Sequence, residues 1–431
     1  MKTQNTPYKE AVDSLYSLQK YGIKFGLSKT ENLLKAFGNP HKGRRYVHIG
    51  GTNGKGSVAA FIGSILKAAG LRVGFYSSPH LVRFTERFSI NGEEIDQDTA
   101  AGLINDLRKI FSPEAPPTFF EATTAMALIY FAREQTDLAI MEVGMGGRLD
   151  ATNVITPMVC GITNISPEHQ DFLGSRLTDI AREKGGIIKS KVDVVTAAAQ
   201  PVVIKTLESI ATERDAPLWR VGKDILYRAT ASGLHYRGPG IKMKGLHLGL
   251  QGMMQARNAA LALGIIERLT EKGIRISEED IREGLQNTVW TGRMQIVGTN
   301  PTILLDGAHN PGALRMLARS IKAGFEYRRL ILVIGIMADK AINEMMRIVA
   351  PLADYLICTR PLYYRAADPE VLMAAAAPLE RPGETVPLLT DALSRAREMA
   401  GPQDLIVVCG SLFTVGEVLT YFDPETYRPD D

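Results

Sequence analysis

The chain has 431 residues, of which 45% are hydrophobic and 23% charged, and its formal net charge is +3. This composition is that of an ordinary globular protein, and the length favours two domains, because single hydrophobic cores rarely extend beyond about 300 residues. The small net charge, without a long Lys/Arg run, gives no indication of a nucleic-acid partner, and no apolar run is long enough to span a bilayer.

The amino terminus and the cysteines both favour a cytoplasmic protein with no membrane partner. The first residues, "MKTQNTPYKEAVDSL", are polar where a signal peptide would need an apolar stretch. Cys160, Cys358 and Cys409 each lie inside an apolar run. This pattern predicts buried free thiols, with neither a disulfide framework nor a metal cluster.

The first part of the chain alternates between strand-like and helix-like segments. A β-prone run at 44–49 leads into a glycine-rich loop and then into an apolar helix at 57–70. A helix is predicted at 121–135, and buried parallel strands are predicted at 137–144, 157–165 and 191–198. After residue 200 the pattern indicates a few β-strands or hairpin arms, followed by a helix at 254–269. Such alternation is typical of an α/β fold.

A second domain is predicted after the helical pattern stops around 287–301. Strands are expected at 302–309, 330–336, 354–359 and 405–411, which suffice for a small Rossmann-like sheet. We therefore predict domains at 1–290 and 301–431, joined by a linker at 291–300. Polar residues or glycines mark the predicted strand ends: Glu142, Thr163, Asn164, Asp306, Gly335, Thr359 and Gly410. Because open α/β sheets bind ligands at these ends, we expect the chemistry in a cleft between the two domains.

The loop "GGTNGKGS" at 50–57 predicts a phosphate site. It lies between a strand and a helix, where free backbone N–H groups and the helix dipole attract anions, and Lys55 adds a positive charge. It differs from the ordinary Walker A pattern, since Gly56 follows the lysine in place of a hydroxyl residue and Ile49 replaces the first glycine.

The missing hydroxyl implies that other residues hold the magnesium that accompanies a nucleotide. Oxygen donors are preferred, with imidazole an admissible addition. The candidates are Ser77, Ser78, Glu142, His169 and Lys184. A carboxylate at the end of an apolar strand is costly unless it is paired or bound to metal, so Glu142 is the strongest of them. A lone histidine more often packs or hydrogen-bonds, and a lysine such as Lys184 is usually a solvated charge.

Nine segments together resemble the folylpolyglutamate synthase/dihydrofolate synthase family of the Mur ligase superfamily. In chain order they are "GTNGKGS", "SSPHLVRFTER", "FFEATTAMAL", "EVGMGGRLDATN", "EHQDFLG", "IAREKGGIIK", "TGRMQIV", "DGAHNPGA" and "CGSLFTVGE". The match extends from about Tyr21 to Glu417. It implies a P-loop-containing, Mur-ligase-like central domain, a smaller C-terminal glutamate-ligase domain, and a monomer, as is usual among the relatives.

The resemblance implies an ATP-dependent ligase that adds L-glutamate to dihydropteroate, to a reduced folate, or to both. It also implies roles for individual residues. The ATP contacts would be Gly51, Thr52, Asn53, Gly54, Lys55, Gly56, Ser57, Asn258, Arg293, Asp306 and His309. Two magnesium ions would be held by Ser78, Glu142, His169 and Lys184, the last as a carbamate, and the catalytic residues would be Lys55, Glu142, His169 and Lys184. The pterin-bearing substrate would contact Thr118, Phe120, Arg148, Asp150 and Ala151.

Some residues depart from the family pattern or have a simpler explanation. Glu168 stands before His169 where the family often has aspartate, and could reposition that histidine. His48, Arg83 and Arg87 are explained about as well by a strand-packed histidine and surface arginines as by substrate contacts. Asp150 could simply cap the turn after it. Two other functions stay open: a Mur-type ligase acting on a cell-wall precursor, and a non-catalytic nucleotide-binding protein.

Overall fold

The computed structural model describes residues 7–22, 24 and 26–430. The α-helices are α1 Pro7–Tyr16, α2 Ser28–Ala36, α3 Lys55–Ala68, α4 Gln97–Arg108, α5 Phe119–Arg133, α6 Gln170–Leu173, α7 Leu177–Gly185, α8 Pro201–Glu213, α9 Gln255–Glu271, α10 Glu278–Gln286, α11 Pro311–Gly324, α12 Ile342–Val349, α13 Pro369–Ala376, α14 Leu389–Met399 and α15 Leu412–Phe422. Short 3₁₀ helices are at Ser17–Tyr21, Phe84–Arg87, Ala151–Val154, Ala350–Leu352 and Ala377–Leu379.

The strands are β1 Tyr46–Gly50, β2 Val73–Tyr76, β3 Phe88–Ile90, β4 Glu93–Glu94, β5 Leu138–Glu142, β6 Val159–Ile162, β7 Asp193–Thr196, β8 Leu218–Arg220, β9 Leu226–Thr230, β10 Gly233–Arg237, β11 Lys242–Leu246, β12 Gln295–Gly298, β13 Thr302–Leu305, β14 Leu330–Ile334, β15 Tyr355–Arg360, β16 Gly383–Leu388 and β17 Leu405–Cys409. The predicted α/β alternation is confirmed, and so are the strands predicted for the first domain.

The first sheet has eight strands in the order β4-β3-β2-β5-β1-β6-β7-β8. The six strands from β2 to β8 in this order run parallel, and β3 and β4 form an antiparallel edge. Every residue of β1, β5 and β6 is buried, because helices cover both faces of a parallel sheet. Helices α3, α9 and α10 cover one face, while α1, α2, α4 and α5 cover the other. The loops after β1, β5 and β6 consequently meet at one edge.

A small antiparallel sheet, ordered β11-β10-β9, follows the large one in the chain. It corresponds to the predicted hairpin arms. Buried residues of this sheet, such as Leu234 and Tyr236, join the same core as α9. Glu267 on α9 accepts hydrogen bonds from the backbone N–H groups of Gly240 and Ile241, which fixes the sheet on the helix.

The second domain is a six-stranded sheet in the order β12-β13-β17-β14-β15-β16. Five strands are parallel and β12 is an antiparallel edge strand. Strand β12 lies inside the segment predicted as the linker, so the second sheet begins before residue 301. The three cysteines are free and buried, as predicted.

The two domains contact each other beside the glycine-rich loop. The amides of Asn53 and Asn310 exchange two hydrogen bonds, of 2.8 and 3.3 Å. The backbone N–H of Met253 donates to Ser320 Oγ at 3.1 Å, also from one domain to the other. Among the residues that the structure describes, no helix is long and apolar enough to cross a membrane.

Candidate active site

The glycine-rich loop lines a cleft of about 540 Å³ between the two domains. It connects the end of β1 to the start of α3, as predicted. Gly51 and Gly54 have φ values of +126° and +87°, which glycine adopts most readily. A Cβ atom on Gly51 would lie 2.0 Å from Thr163 Oγ1, and one on Gly54 would lie 2.8 Å from Asn258 Oδ1. The loop therefore needs both glycines to keep this close-packed path at the helix amino terminus.

Lys55 and Glu142 both line the cleft and face each other. Glu142 is the last residue of β5 and is 6% exposed; its Oε1 lies 3.9 Å from Lys55 Nζ. Burial raises the pKa of Glu142, although Lys55, Arg293 and the Ser78 backbone N–H all favour its charged form. The nearby cations thus balance the negative charge of this buried carboxylate only partly, which makes it a suitable ligand for a divalent ion.

Ser78 and His169 line the same cleft as Glu142. His169 has a left-handed φ of +47° at the start of α6. Burial lowers the pKa of His169 despite the neighbouring Glu168, so the imidazole is neutral near pH 7 and able to bind a metal. Among the described residues, no three histidine, cysteine or acidic side chains form a ready metal cluster. Hydroxyl, carboxylate and imidazole donors nevertheless fit magnesium, which usually keeps several waters and substrate phosphate oxygens as ligands.

Lys184 on α7 is a buried cation next to this group. Its side chain is 2% exposed; Nζ lies 2.9 Å from Glu168 Oε1 and donates to the carbonyl oxygen of Gly51 at 2.9 Å. Burial by itself would raise the pKa of Glu168, but Lys184 and Lys55 outweigh it and hold the value at about 2. Burial lowers the pKa of Lys184, and Glu168 opposes this effect. The lysine thus connects the loop backbone to the carboxylate that precedes His169.

The second domain contributes Arg293, Asp306 and His309 to the cleft. The carboxylate of Asp306 accepts hydrogen bonds from the backbone N–H groups of Met294 and Ala308 and so holds the turn after β13. His309 Nδ1 lies 2.8 Å from the carbonyl oxygen of Gly307, which can only accept, so Nδ1 carries the proton and Nε2 is free to accept. Burial lowers the pKa of His309 to about 4, which keeps the ring neutral.

The loop residues Thr52 to Ser57 and Asn258 also line this cleft. The Asn258 amide donates to Gln255 Oε1 at 2.9 Å on the same helix and packs against Gly54. Further cleft residues that the sequence did not point to are Arg257, Lys340, Arg365 and Phe413. Asn310, next to His309 in the "DGAHNPGA" segment, instead bonds to Asn53 of the glycine-rich loop.

The residues that the resemblance assigns to the pterin-bearing substrate lie around the loops after β5 and before α5. Thr118 caps α5 through a reciprocal bond with Glu121. Asp150 accepts from Met145 N–H and from Thr152, which is the capping arrangement left open above. The ring of Phe120 lies against Gly144, which lines the cleft.

The other two members of this group are placed differently. Arg148 forms an exposed ion pair with Glu183. Ala151 is buried at the start of a 3₁₀ helix.

The structure also places the residues that had two explanations. His48 is buried in β1 and hydrogen-bonds to Thr152 at 2.8 Å, in agreement with a strand-packed histidine. Arg83 pairs with Glu94 at 2.6 Å. Arg87, which was explained as a surface arginine, is buried at 7% exposure. That explanation is wrong, because the 3₁₀ helix Phe84–Arg87 turns this side chain inward against Phe119.

Comparison with known proteins agrees with the geometry of the cleft. The model of the Mur ligase middle domain matches residues 49–266, and that of the Mur ligase glutamate ligase domain matches residues 292–412. The dihydrofolate synthase/folylpolyglutamate synthase of Bacillus subtilis is 32% identical, over 96% of this chain and 98% of the relative. A probable bifunctional folylpolyglutamate synthase/dihydropteroate synthase of Haloferax volcanii is 34% identical over 98% of this chain, which spans about half the length (52%) of that relative.

Solved structures match over nearly the whole chain. The structure of Escherichia coli FolC in complex with DHPP and ADP has a TM-score of 0.88 and 32% identity, and the match covers 96% of this chain and 98% of the other. A bifunctional folylpolyglutamate synthase/dihydrofolate synthase with Mn, AMPPNP and L-glutamate bound has a TM-score of 0.84 and 30% identity, over 95% and 97% of the two chains. On these matches, the chain belongs to the dihydrofolate synthase/folylpolyglutamate synthase family of Mur ligases.

Proposed function

We propose that this enzyme joins L-glutamate to the carboxylate of a folate-type acceptor and cleaves ATP to ADP and phosphate. The acceptors would be dihydropteroate and a reduced folylpolyglutamate, so that one site performs both synthase reactions. The observation that carries the proposal is the pairing of Lys55 and Glu142 under a glycine loop, in a cleft to which both domains contribute. Relatives named for these two activities, and a neighbour that binds L-glutamate, support the choice of substrates.

The nucleotide would bind along the loop from Gly51 to Ser57. Backbone N–H groups at the start of α3 would hold its phosphates, and Lys55 would reach the β- and γ-phosphates. Asn258 would contact the nucleotide from the first domain. Arg293, Asp306 and His309 would contact it from the second, with Asp306 acting largely through the turn that it holds. Residues from both domains would therefore be needed for turnover.

Divalent ions would be bound by Ser78, Glu142 and His169, and we propose two of them. When bound, magnesium would neutralise the negative charge that develops during phosphoryl transfer. Glu142 fits this role, since it is buried and its cations compensate it only partly. His169 fits it because the ring is neutral.

Lys184 would assist the second ion as a carbamate. Carbon dioxide reacts with a neutral amine, and burial lowers the pKa of Lys184 and so favours that form. The product would be an anion at a position where the unmodified amine lies 2.9 Å from Glu168. Mass spectrometry of the intact protein in bicarbonate with magnesium tests this assignment: an additional carbon dioxide on Lys184 is expected, and a bare amine in the loaded site would contradict it.

The acceptor would lie against Phe120, with Thr118, Asp150 and Ala151 shaping its pocket and Arg148 at the rim. Its carboxylate oxygen would attack the γ-phosphorus, and the bond to the leaving ADP oxygen would break. The glutamate amine would then attack the acyl carbon, lose a proton and expel phosphate. A carboxylate is a poor acyl donor, so this activation is what the glycine loop and Lys55 would contribute, by positioning and charge neutralisation.

A phosphate-release assay with separate acceptors tests the proposal. Purified protein, MgATP and L-glutamate are combined with dihydropteroate or with a reduced folate, and the glutamylated product is identified by mass. Turnover with both acceptors is expected, and Glu142→Gln should abolish it. Glu134→Gln, a matched change at an exposed glutamate that pairs with Arg72, should leave it intact.

Other outcomes would identify the alternatives. Phosphate release with neither folate acceptor contradicts the proposal. Ligation to a UDP-linked cell-wall precursor would identify a Mur-type ligase. Binding of MgATP without formation of any amide would identify a nucleotide-binding protein.

A further inference from the structure

Arg87 is a buried arginine that forms no ion pair with any described residue. It is only 7% exposed, and burial lowers its pKa. Its Nε donates to His80 Nδ1 at 2.9 Å, and the guanidinium lies 5.2 Å from the centroid of the Phe119 ring. Nη1 and Nη2 form no hydrogen bond within the described part of the chain. Because a guanidinium keeps its charge, such burial is costly unless an anion compensates it.

The carboxylate of Glu86 lies near Arg87 and favours its charged form, but within the described part of the chain it forms no ion pair with the guanidinium. Glu86 accepts hydrogen bonds from the backbone N–H groups of Leu81, Val82 and Arg83, at 2.7, 2.9 and 2.8 Å. These bonds hold the loop before β3 and engage both Glu86 oxygens with the backbone. Nη1 and Nη2 of Arg87 are thus available to a ligand that brings an anionic group.

His80 and Tyr16 provide further hydrogen-bonding groups beside Arg87. Arginine can only donate, so His80 Nδ1 accepts and its Nε2 carries the proton of the neutral ring. Nε2 lies 3.4 Å from the hydroxyl of Tyr16. The Tyr16 oxygen then accepts this bond, and its own O–H is free to donate to a ligand.

The second domain faces this group. Tyr363 lies near enough to influence the ionisation of both Tyr16 and Arg87. Its ring stacks on Phe413, with 3.9 Å between centroids, and Phe413 lines the nucleotide cleft. On the first-domain side, the carbonyl oxygen of Arg87 accepts from the backbone N–H of Ser77, the neighbour of Ser78. Arg87 therefore lies between the domains. Through its backbone bond to Ser77, it is also connected to the neighbouring Ser78 of the proposed metal site.

We propose that the Arg87 guanidinium binds one carboxylate of the incoming L-glutamate. This inference rests on the proposed function and names a residue that holds the amino-acid substrate. Dihydropteroate has a single carboxylate, and in the proposed reaction that carboxylate attacks the γ-phosphorus of ATP. Only glutamate brings further carboxylates to every turnover. A site between the domains also suits the substrate that attacks last, and Tyr363 would help to enclose it.

Steady-state kinetics of Arg87→Met and Arg87→Lys test the assignment. Because charge-assisted hydrogen bonds are lost, Arg87→Met should raise the KM for L-glutamate by about 10- to 100-fold with either acceptor. The KM values for ATP and for the acceptor should change by less than about threefold, a split that a merely structural role would not produce. Arg87→Lys keeps the charge without the planar fork, so it should show a smaller rise. Arg72→Met, at an exposed arginine that pairs with Glu134, is the matched control and should match the wild type.

Three results would overturn the assignment. An unchanged KM for L-glutamate in both Arg87 variants would exclude the contact. A rise in KM confined to the glutamylated folate acceptor would mean that Arg87 holds the tail of that acceptor. Equal rises for all three substrates would indicate a general disturbance. A wild-type protein that forms no glutamyl product would instead contradict the proposed function, so the two failures are distinguishable.

Discussion

The buried pair of Lys184 and Glu168 provides a quantitative prediction. Glu168→Gln preserves the shape of the side chain but removes the negative charge that compensates Lys184 Nζ, a cation whose side chain is only 2% exposed. The pKa of Glu168 is about 2 in the folded protein against an ordinary 4.5. At about 1.4 kcal/mol per pKa unit, this difference corresponds to roughly 3 kcal/mol of stabilisation on the Glu168 side, and the lowered pKa of the buried Lys184 offsets part of it. Breaking a buried pair typically costs about 3–5 kcal/mol, so the two values agree.

The direction of the pH dependence follows from the same difference. The folded protein holds the Glu168 proton less tightly than the unfolded chain, so the stabilisation is fully present above pH 4.5 and is lost as the pH falls towards about 2. Urea unfolding at pH 7 should therefore show Glu168→Gln to be less stable than the wild type by about 3 kcal/mol. That gap should narrow when the measurement is repeated at progressively lower pH.

A double-mutant cycle with Lys184→Met isolates the pair. The double variant has no buried charge at either position, so it should recover at least about 1 kcal/mol relative to the sum of the single changes. The cycle is measured without magnesium and bicarbonate, so that the lysine is unmodified. Additive single changes, or a loss below about 1 kcal/mol in Glu168→Gln, would refute the reasoning.

Three further predictions concern the nucleotide cleft. Lys55→Met should lower kcat by at least about 100-fold, because it removes the cation that lies 3.9 Å from Glu142. Phosphate release measures kcat, and a loss of tenfold or less would argue against contact between Lys55 and the transferred phosphoryl group. Gly54→Ala should abolish ATP binding, because its φ of +87° and a Cβ atom 2.8 Å from Asn258 Oδ1 would force the loop to move. Titration with a fluorescent nucleotide tests this. Gly70→Ala is the control, since Gly70 also has a positive φ but its Cβ atom would have no neighbour within 4 Å. Asn310→Ala removes both hydrogen bonds to Asn53 and should weaken the contact between the domains by about 1–3 kcal/mol. Small-angle scattering should then show an expanded ensemble, and a profile identical to the wild type would contradict this prediction.

Local sequence pattern determined much of the fold. The runs at β1, β5 and β6 are buried throughout and mostly apolar, because both faces of the sheet are covered, and the apolar runs are visible without any tertiary information. The glycine loop was likewise readable from its place between a strand and a helix. Strand β12 was not predicted. It is an edge strand that pairs with only one neighbour, so its sequence shows a weaker hydrophobic pattern than a central strand does.

Some residues of the candidate site could likewise be identified from local sequence pattern, and others could not. Glu142 could be identified because a carboxylate ends an apolar strand. The burial of Arg87 could not, because it depends on Phe119 and His80, which other segments bring to it. The contact between Asn53 and Asn310 joins residues 257 positions apart, and no local pattern encodes how two domains meet.

The geometry around Lys184 constrains how the site assembles. As an ammonium, Lys184 neutralises Glu168 and anchors the Gly51 carbonyl oxygen. As a carbamate, it would place a negative charge beside the same Glu168, so the ion pair and the carbamate exclude each other unless a cation lies between the two anions. A divalent ion held by the proposed metal-binding residues would supply that cation. The carbamate nitrogen would keep one N–H, so it would still be able to donate to the Gly51 carbonyl oxygen, and Lys184 would connect the glycine-rich loop to the proposed metal site in both forms.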